Sequence, residues 1–151
     1  MKFLRHAESE FNIGISTEDS PLTLKGIDQA SKLSGTYDLV ICSPLRRCIQ
    51  TLEYSNIKYS SMIVCHECRE YISDKSDLLP GEPIIMESEL NLINRVTKFK
   101  NYLQSLSEKN ILVITHADFI WYLTSNIVQS ERFGRWVLNA EIVDLPLISP
   151  Y

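Results

Sequence analysis

No apolar run in this chain approaches the roughly 18 residues that a membrane-crossing helix needs. No export leader is expected either, because Lys2, Arg5 and His6 interrupt any apolar segment there. A soluble, cytoplasmic protein is therefore expected, with no membrane partner. Positive charge is in deficit, with 15 Lys and Arg against 19 Asp and Glu, a net charge of -4. That balance excludes a general nucleic-acid binder, so any anion site must be a local cluster of basic residues. Repeats, low-complexity tracts and linkers are absent, and 151 residues fit one domain spanning 1–151.

Cysteine is sparse, at Cys42, Cys48, Cys65 and Cys68. Without a leader the expectation is reduced thiols. Cys65 and Cys68 frame a lone C-x-x-C around His66, but a structural zinc site needs a second ligand pair, and Cys42 and Cys48 have the wrong spacing. All four read as buried, inert thiols, and neither metal nor cofactor is expected.

The apolar segments that are present alternate between two periods. Lys2–Leu4 reads as a short strand. Residues 23–35 read as a helix, with Thr23 as N-cap, Leu24, Ile27, Ala30 and Leu33 on one side and Gly35 closing it. YDLVICSP reads as a buried strand ending at Pro44, and LRRCIQTLEYS as the helix after it. SMIVC is a third strand. Residues 66–88 form a long connection with Pro80, Gly81 and Pro83, a length that points to function or to local structure. Leu92, Val96, Phe99, Leu103 and Leu106 mark a helix capped by Ser88. ILVIT is a fourth strand, DFIWYLTSNIV a helix, and AEIVDL a closing strand.

Strands alternating with helices predict an α/β domain: a three-layer α/β/α sandwich with a mainly parallel sheet. Ligands in such sheets bind beyond the carboxyl ends of the strands. That rule gathers Arg5 and His6, Ser43 to Arg47, Glu67 to Glu70, and His116 at one rim. Arginines clamp phosphate oxygens, a neutral histidine can attack phosphorus, and a carboxylic acid can protonate the leaving oxygen. Trp121, Tyr122 and Trp136 read as core or rim packing.

These residues carry a resemblance. RHAESEFN is similar to the RHGETEWN signature of the histidine phosphatase superfamily, the phosphoglycerate mutase-like family. PLTLKGIDQA resembles its PLTxxGxxQA, SPLRRCIQT its SxLxRAxQT, and CREY its acid-bearing segment. GEPIIMESELNLINRVTKF resembles the run that follows, ITHADFI the second-histidine motif SHGGFI, and LNAEIVDL the closing strand. Seven segments in order cover nearly the whole chain.

The resemblance implies His6 as a nucleophile that forms a phosphohistidine, with Arg5 and Arg47, not Arg46, as phosphate clamps. It implies His116 as the second histidine holding the phosphoryl group, and Asn12 as a contact to phosphate or substrate. Glu70 matches the proton donor, with Glu67 the alternative. Ala7 and Ala117 stand where relatives carry glycine. Asp118 either repels phosphate or caps the helix that starts there, and the cap is the favoured reading. The implied activity is metal-independent hydrolysis of a small phosphorylated metabolite, since the cap over the site is minimal and only residues 66–88 are available as a lid. A phosphohistidine or phosphoprotein phosphatase, a mutase and a silent phosphate-binding module are the alternatives. Specificity is expected in residues 14–19 and 66–88; substrate identity and oligomeric state stay open.

Overall fold

A computed structural model describes residues 1–146. The chain forms β1 (Lys2–Arg5), α1 (Leu24–Ser31), β2 (Ser34–Cys42), α2 (Arg46–Tyr54) and β3 (Asn56–Val64). It continues through α3 (Glu89–Gln104), β4 (Ile111–Thr115), α4 (Ala117–Leu123), β5 (Asn126–Val128), β6 (Glu131–Phe133) and β7 (Ile142–Asp144). The main sheet has the order β3-β2-β4-β1-β7. Its first four strands run parallel, and β7 lies antiparallel to β1.

Alternate residues of each central strand feed two different cores. Phe3, Ile41 and Val113 pack with Leu92, Val96 and Phe99 of α3 and Phe119 of α4. Leu4, Val40 and Ile114 pack on the other face with Cys48 and Leu52 of α2. Both faces are covered, which is why β2 and β4 read as continuous apolar runs rather than alternating ones. The three-layer α/β/α architecture expected from the sequence is the one formed.

Three boundaries differ from the sequence reading. α1 stops at Ser31, and Gly35 lies inside β2. The Ser31 carbonyl accepts from the Asn56 side chain at 2.8 Å, and the Asn56 N–H donates to Leu33, so the sheet takes over the chain before Gly35 can act as a cap. β3 begins at Asn56, five residues before SMIVC. It is an edge strand with nearly all its side chains exposed, so polar residues break the apolar signal there.

The third difference is α4, which ends at Leu123 instead of running to Val128. The Thr124 hydroxyl donates back to the Ile120 carbonyl and accepts the Arg135 N–H, which turns the chain out of the helix. Residues 126–133 form a hairpin in which Val128 faces Glu131. Its two-residue turn places Gln129 and Ser130 at φ 50° and 68°, the left-handed geometry of tight hairpins, without any glycine to announce it.

Candidate functional site

The register pairs Arg5 with Thr115 and Cys42 with Ile114, so the residues after β1, β2 and β4 leave the sheet at one edge. The His6 N–H donates to the Thr115 carbonyl at 3.1 Å, and the Ser43 N–H to Ile114 at 3.0 Å. Three side chains hold the strand-to-helix loop. Thr51 accepts the Ala7 N–H at 2.9 Å, Gln29 accepts from Glu8 at 2.9 Å, and Gln50 accepts from Leu22 at 2.8 Å. Their roles went unassigned in the sequence, although all three lie in the two quoted motifs that precede CREY. Gly26 belongs to the same frame: a methyl group there would strike the Glu8 carbonyl, so only glycine lets α1 approach the loop.

A cavity of about 320 Å³ opens at this edge, lined among others by Arg5, His6, Arg47, Glu70, Asp77 and Asp118. The His6 Nδ1 lies 2.7 Å from the Ala7 carbonyl oxygen. A carbonyl only accepts, so Nδ1 carries the proton and Nε2 keeps its lone pair. Burial, and then the charge of Arg47, pushes the His6 pKa well below its usual value, so the imidazole stays neutral.

Arg47 is buried and Arg46 is exposed. The Arg47 Nε points at His6 Nε2 at 3.3 Å, while Nη1 donates to the Ser76 carbonyl and Nη2 to the Asp77 carboxylate, each at 2.8 Å. Arg5 donates from Nη1 to the Val137 carbonyl, but its buried Nε has no partner among the described residues. An anion in the cavity would supply one. Asp77 is a site residue that sequence reasoning missed. It sits in a single 3-10 turn (Lys75–Asp77) closed by Asp74, and nothing in that local pattern points to Arg47.

Glu70 lines the cavity, whereas Glu67 faces grooves beside α3. The Glu70 carboxylate accepts the N–H of Tyr71 at 2.9 Å, of Phe119 at 3.0 Å and of Asp118 at 3.3 Å. Those donors favour the charged form, but desolvation and then the neighbouring Asp118 outweigh them. Its pKa is raised to about 7. Arg95 of α3 anchors the segment. It donates to the carbonyls of Glu67 and Arg69 at 2.7 Å and of Glu70 at 3.1 Å, and pairs with Glu87 at 2.7 Å.

Asp118 does not cap α4. His116 holds the N-cap position, and Asp118 sits in the first turn with its carboxylate in the cavity wall. Burial, then Asp77, raises its pKa. His116 is fully buried behind His6, with ring centroids 5.2 Å apart, and is not part of the cavity lining. Its Nε2 lies 2.9 Å from the Ser43 hydroxyl and its Nδ1 has no partner among the described residues. Asn12 reaches the cavity wall, but its side-chain oxygen accepts from the Ser9 N–H and hydroxyl and from Asn139. Ala7 and Ala117 are buried, and neither has a positive φ, so alanine imposes no backbone strain at either position.

Cys42, Cys48 and Cys68 are buried as expected, but Cys65 is half-exposed. A hydrogen bond involving the Cys68 thiol lowers the Cys65 pKa to about 6. No cluster of three or more metal-ligating side chains occurs among the described residues, and no described helix is long and apolar enough to cross a membrane.

Residues 1–71 match the family model of the histidine phosphatase superfamily, branch 1. The fold agrees with solved structures. The alpha-ribazole phosphatase from Shigella flexneri superposes with a TM-score of 0.60 at 19% identity, over 90% of this chain and 94% of the other. Over residues 1–71 the chain is similar to the histidine phosphatase superfamily. Two further solved folds are similar. The protein histidine phosphatase SixA, complexed with tungstate, gives a TM-score of 0.59 at 23% identity over 93% and 83% of the two chains. A phosphoglycerate mutase from Thermus thermophilus gives 0.57 at 22% identity over 81% and 80%. At these identities the likeness is one of fold. A search of curated protein sequences gives no match.

Proposed function

We propose that the protein is a phosphatase that hydrolyses a small phosphate monoester through a phosphohistidine on His6. The observation that carries this reading is the unprotonated Nε2 of a neutral His6 in a cavity that also holds two arginines and a carboxyl group with a pKa of about 7.

In the first step His6 Nε2 attacks phosphorus and the bond to the leaving oxygen breaks. Glu70 gives that oxygen its proton, and the alcohol departs. In the second, a water attacks the phosphohistidine while Glu70 takes its proton; the N–P bond breaks and inorganic phosphate leaves. Arg5 and Arg47 balance the charge on the equatorial oxygens. His116, expected from the resemblance to hold the phosphoryl group, instead packs behind the nucleophile with ring centroids 5.2 Å apart, outside the cavity lining. A cavity of about 320 Å³ favours a small ester over a folded phosphoprotein.

The test is turnover of p-nitrophenyl phosphate by wild type and His6→Ala, together with trapping of an acid-labile, base-stable ³²P label by a denaturing quench at alkaline pH. Wild type should turn over and carry the label, and the variant should do neither. Undiminished turnover in His6→Ala would sink the reading.

A further inference from the structure

Asp118 presents a contradiction in a phosphate site. Its half-buried carboxylate shares a cavity wall with Arg5 and Glu70, yet it forms no ion pair among the described residues. A carboxylate there repels a phosphate dianion and weakens its binding unless a positive charge arrives with the ligand.

A second groove of about 420 Å³ adjoins the first and shares Ser73, Asp118 and Trp136 with it; Tyr71, Trp121 and Tyr122 complete its lining. Four of the six side chains are aromatic, and Asp118 is the one charged group among them. Trp121 and Tyr122 stand edge to face with centroids 5.0 Å apart, and Tyr71 meets Tyr122 at 6.2 Å. Aromatic walls around a single carboxylate are the chemistry that binds ammonium groups, through ring quadrupoles and one compensating charge. The same rings already accept cations from within the chain. Arg5 lies 5.3 Å from the Trp136 centroid and Arg132 lies 5.4 Å from that of Tyr122, and neither arginine lines the groove.

We propose that this groove selects phosphomonoesters whose short leaving alcohol carries an ammonium group, held among the aromatic rings and against Asp118. This rests on the phosphatase reading, because it assigns the phosphate to the Arg5–His6–Arg47 cavity and the leaving alcohol to the groove. Because the two share one wall, a short alcohol suffices to join them. Asp118 then converts a cost for bare phosphate into selectivity for a zwitterionic ester, and disfavours esters whose alcohol carries a carboxylate.

The experiment compares kcat/KM for phosphocholine, its neutral isostere 3,3-dimethylbutyl phosphate, benzyl phosphate and 3-phosphoglycerate, in wild type and in Asp118→Asn. Wild type should prefer phosphocholine to the isostere by about tenfold, the scale of a desolvated cation–π and ion contact. Asp118→Asn should erase most of that ratio and raise relative activity on 3-phosphoglycerate. Comparing ratios within each protein cancels any effect of the substitution on Glu70. Equal or better turnover of the isostere or of benzyl phosphate overturns the proposal, as does a ratio unchanged in the variant.

Binding gives an independent arm, because both tryptophans of the chain line the groove. Choline should perturb wild-type tryptophan fluorescence saturably, and 3,3-dimethylbutan-1-ol should not; an equal response to both overturns the proposal. Failure to hydrolyse any ester, p-nitrophenyl phosphate included, would instead overturn the phosphatase reading, and the fluorescence arm would still decide the groove.

Discussion

Arg47 and Asp77 form a buried ion pair, 2.8 Å apart, with both side chains 3% exposed. The pair joins the helix after β2 to the connection between β3 and α3. It orients the guanidinium so that its Nε, not its fork, faces His6. A charge so deeply buried is tolerable only with its partner in place.

Asp77→Ala is therefore expected to destabilise the protein by about 3–5 kcal/mol, since it leaves Arg47 buried and unpaired. Replacing both partners with apolar residues, Arg47→Met with Asp77→Leu, should recover much of that loss while leaving the protein inactive. Denaturant unfolding measures the first effect; an unfolding midpoint for Asp77→Ala equal to that of wild type would contradict it.

Glu70 links activity to pH. With a carboxyl raised to about 7, the acid form that donates a proton disappears as pH rises past that value, so kcat/KM should fall on the alkaline side of about 7. His6 titrates well below its usual 6.5, which places the acidic limb lower still. Stability follows the same group. Its folded pKa lies above the ordinary 4.5, so the folded state holds the proton more tightly. The stability this contributes is fully present below about 4.5 and is lost as pH climbs from there to about 7. Glu70→Gln should consequently be more stable than wild type above pH 7, with the gap closing toward pH 4.5. A gap that is constant with pH would refute the assignment.

Arg95 does not itself line the cavity, yet it ties down the segment that carries Glu70. Arg95→Met should cost about 3 kcal/mol, because three carbonyls and Glu87 lose their charged donor. As a positioning residue it should lower kcat more than it raises KM, and should move the alkaline limb of the pH profile. A uniform loss of active protein, with kinetic constants per folded molecule unchanged, would mean that its role is structural alone.

Gly26→Ala should destabilise by about 1–3 kcal/mol, since the added methyl must push α1 away from the Glu8 carbonyl. Thermal unfolding reads this directly. Gly14 and Gly81 have open space around them but lie at positive φ, so the expected damage there is backbone strain and not a clash.

The layered fold was legible because its causes are local. Thr23 and Ser88 cap their helices through side-chain oxygens, as read from the residues alone. The runs of β2 and β4 declared strands covered on both faces. The errors fall where a distant partner decided the outcome. Asn56 ended α1, Arg135 helped turn the chain after α4, and an edge position removed the apolar signal from β3.

The candidate site divides in the same way. Arg5, His6 and Arg47 stand next to strand ends or a helix start, and the rule that ligands bind beyond strand ends offered them as candidates. The resemblance, not the pattern, preferred Arg47 to Arg46 and Glu70 to Glu67. Asp77 and Arg95 act across 30 and 25 residues, on Arg47 and Glu70; Asp77 does so from a segment with no distinguishing pattern, and Arg95 from a matched run in which its role went unassigned. Whether Glu67 or Glu70 faces the cavity, and whether Asp118 caps or lines it, turned on the direction of a side chain. Composition and order specify which groups are available. Burial, charge proximity and the meeting of remote segments set their protonation and aim, because those energies exist only once the chain has packed.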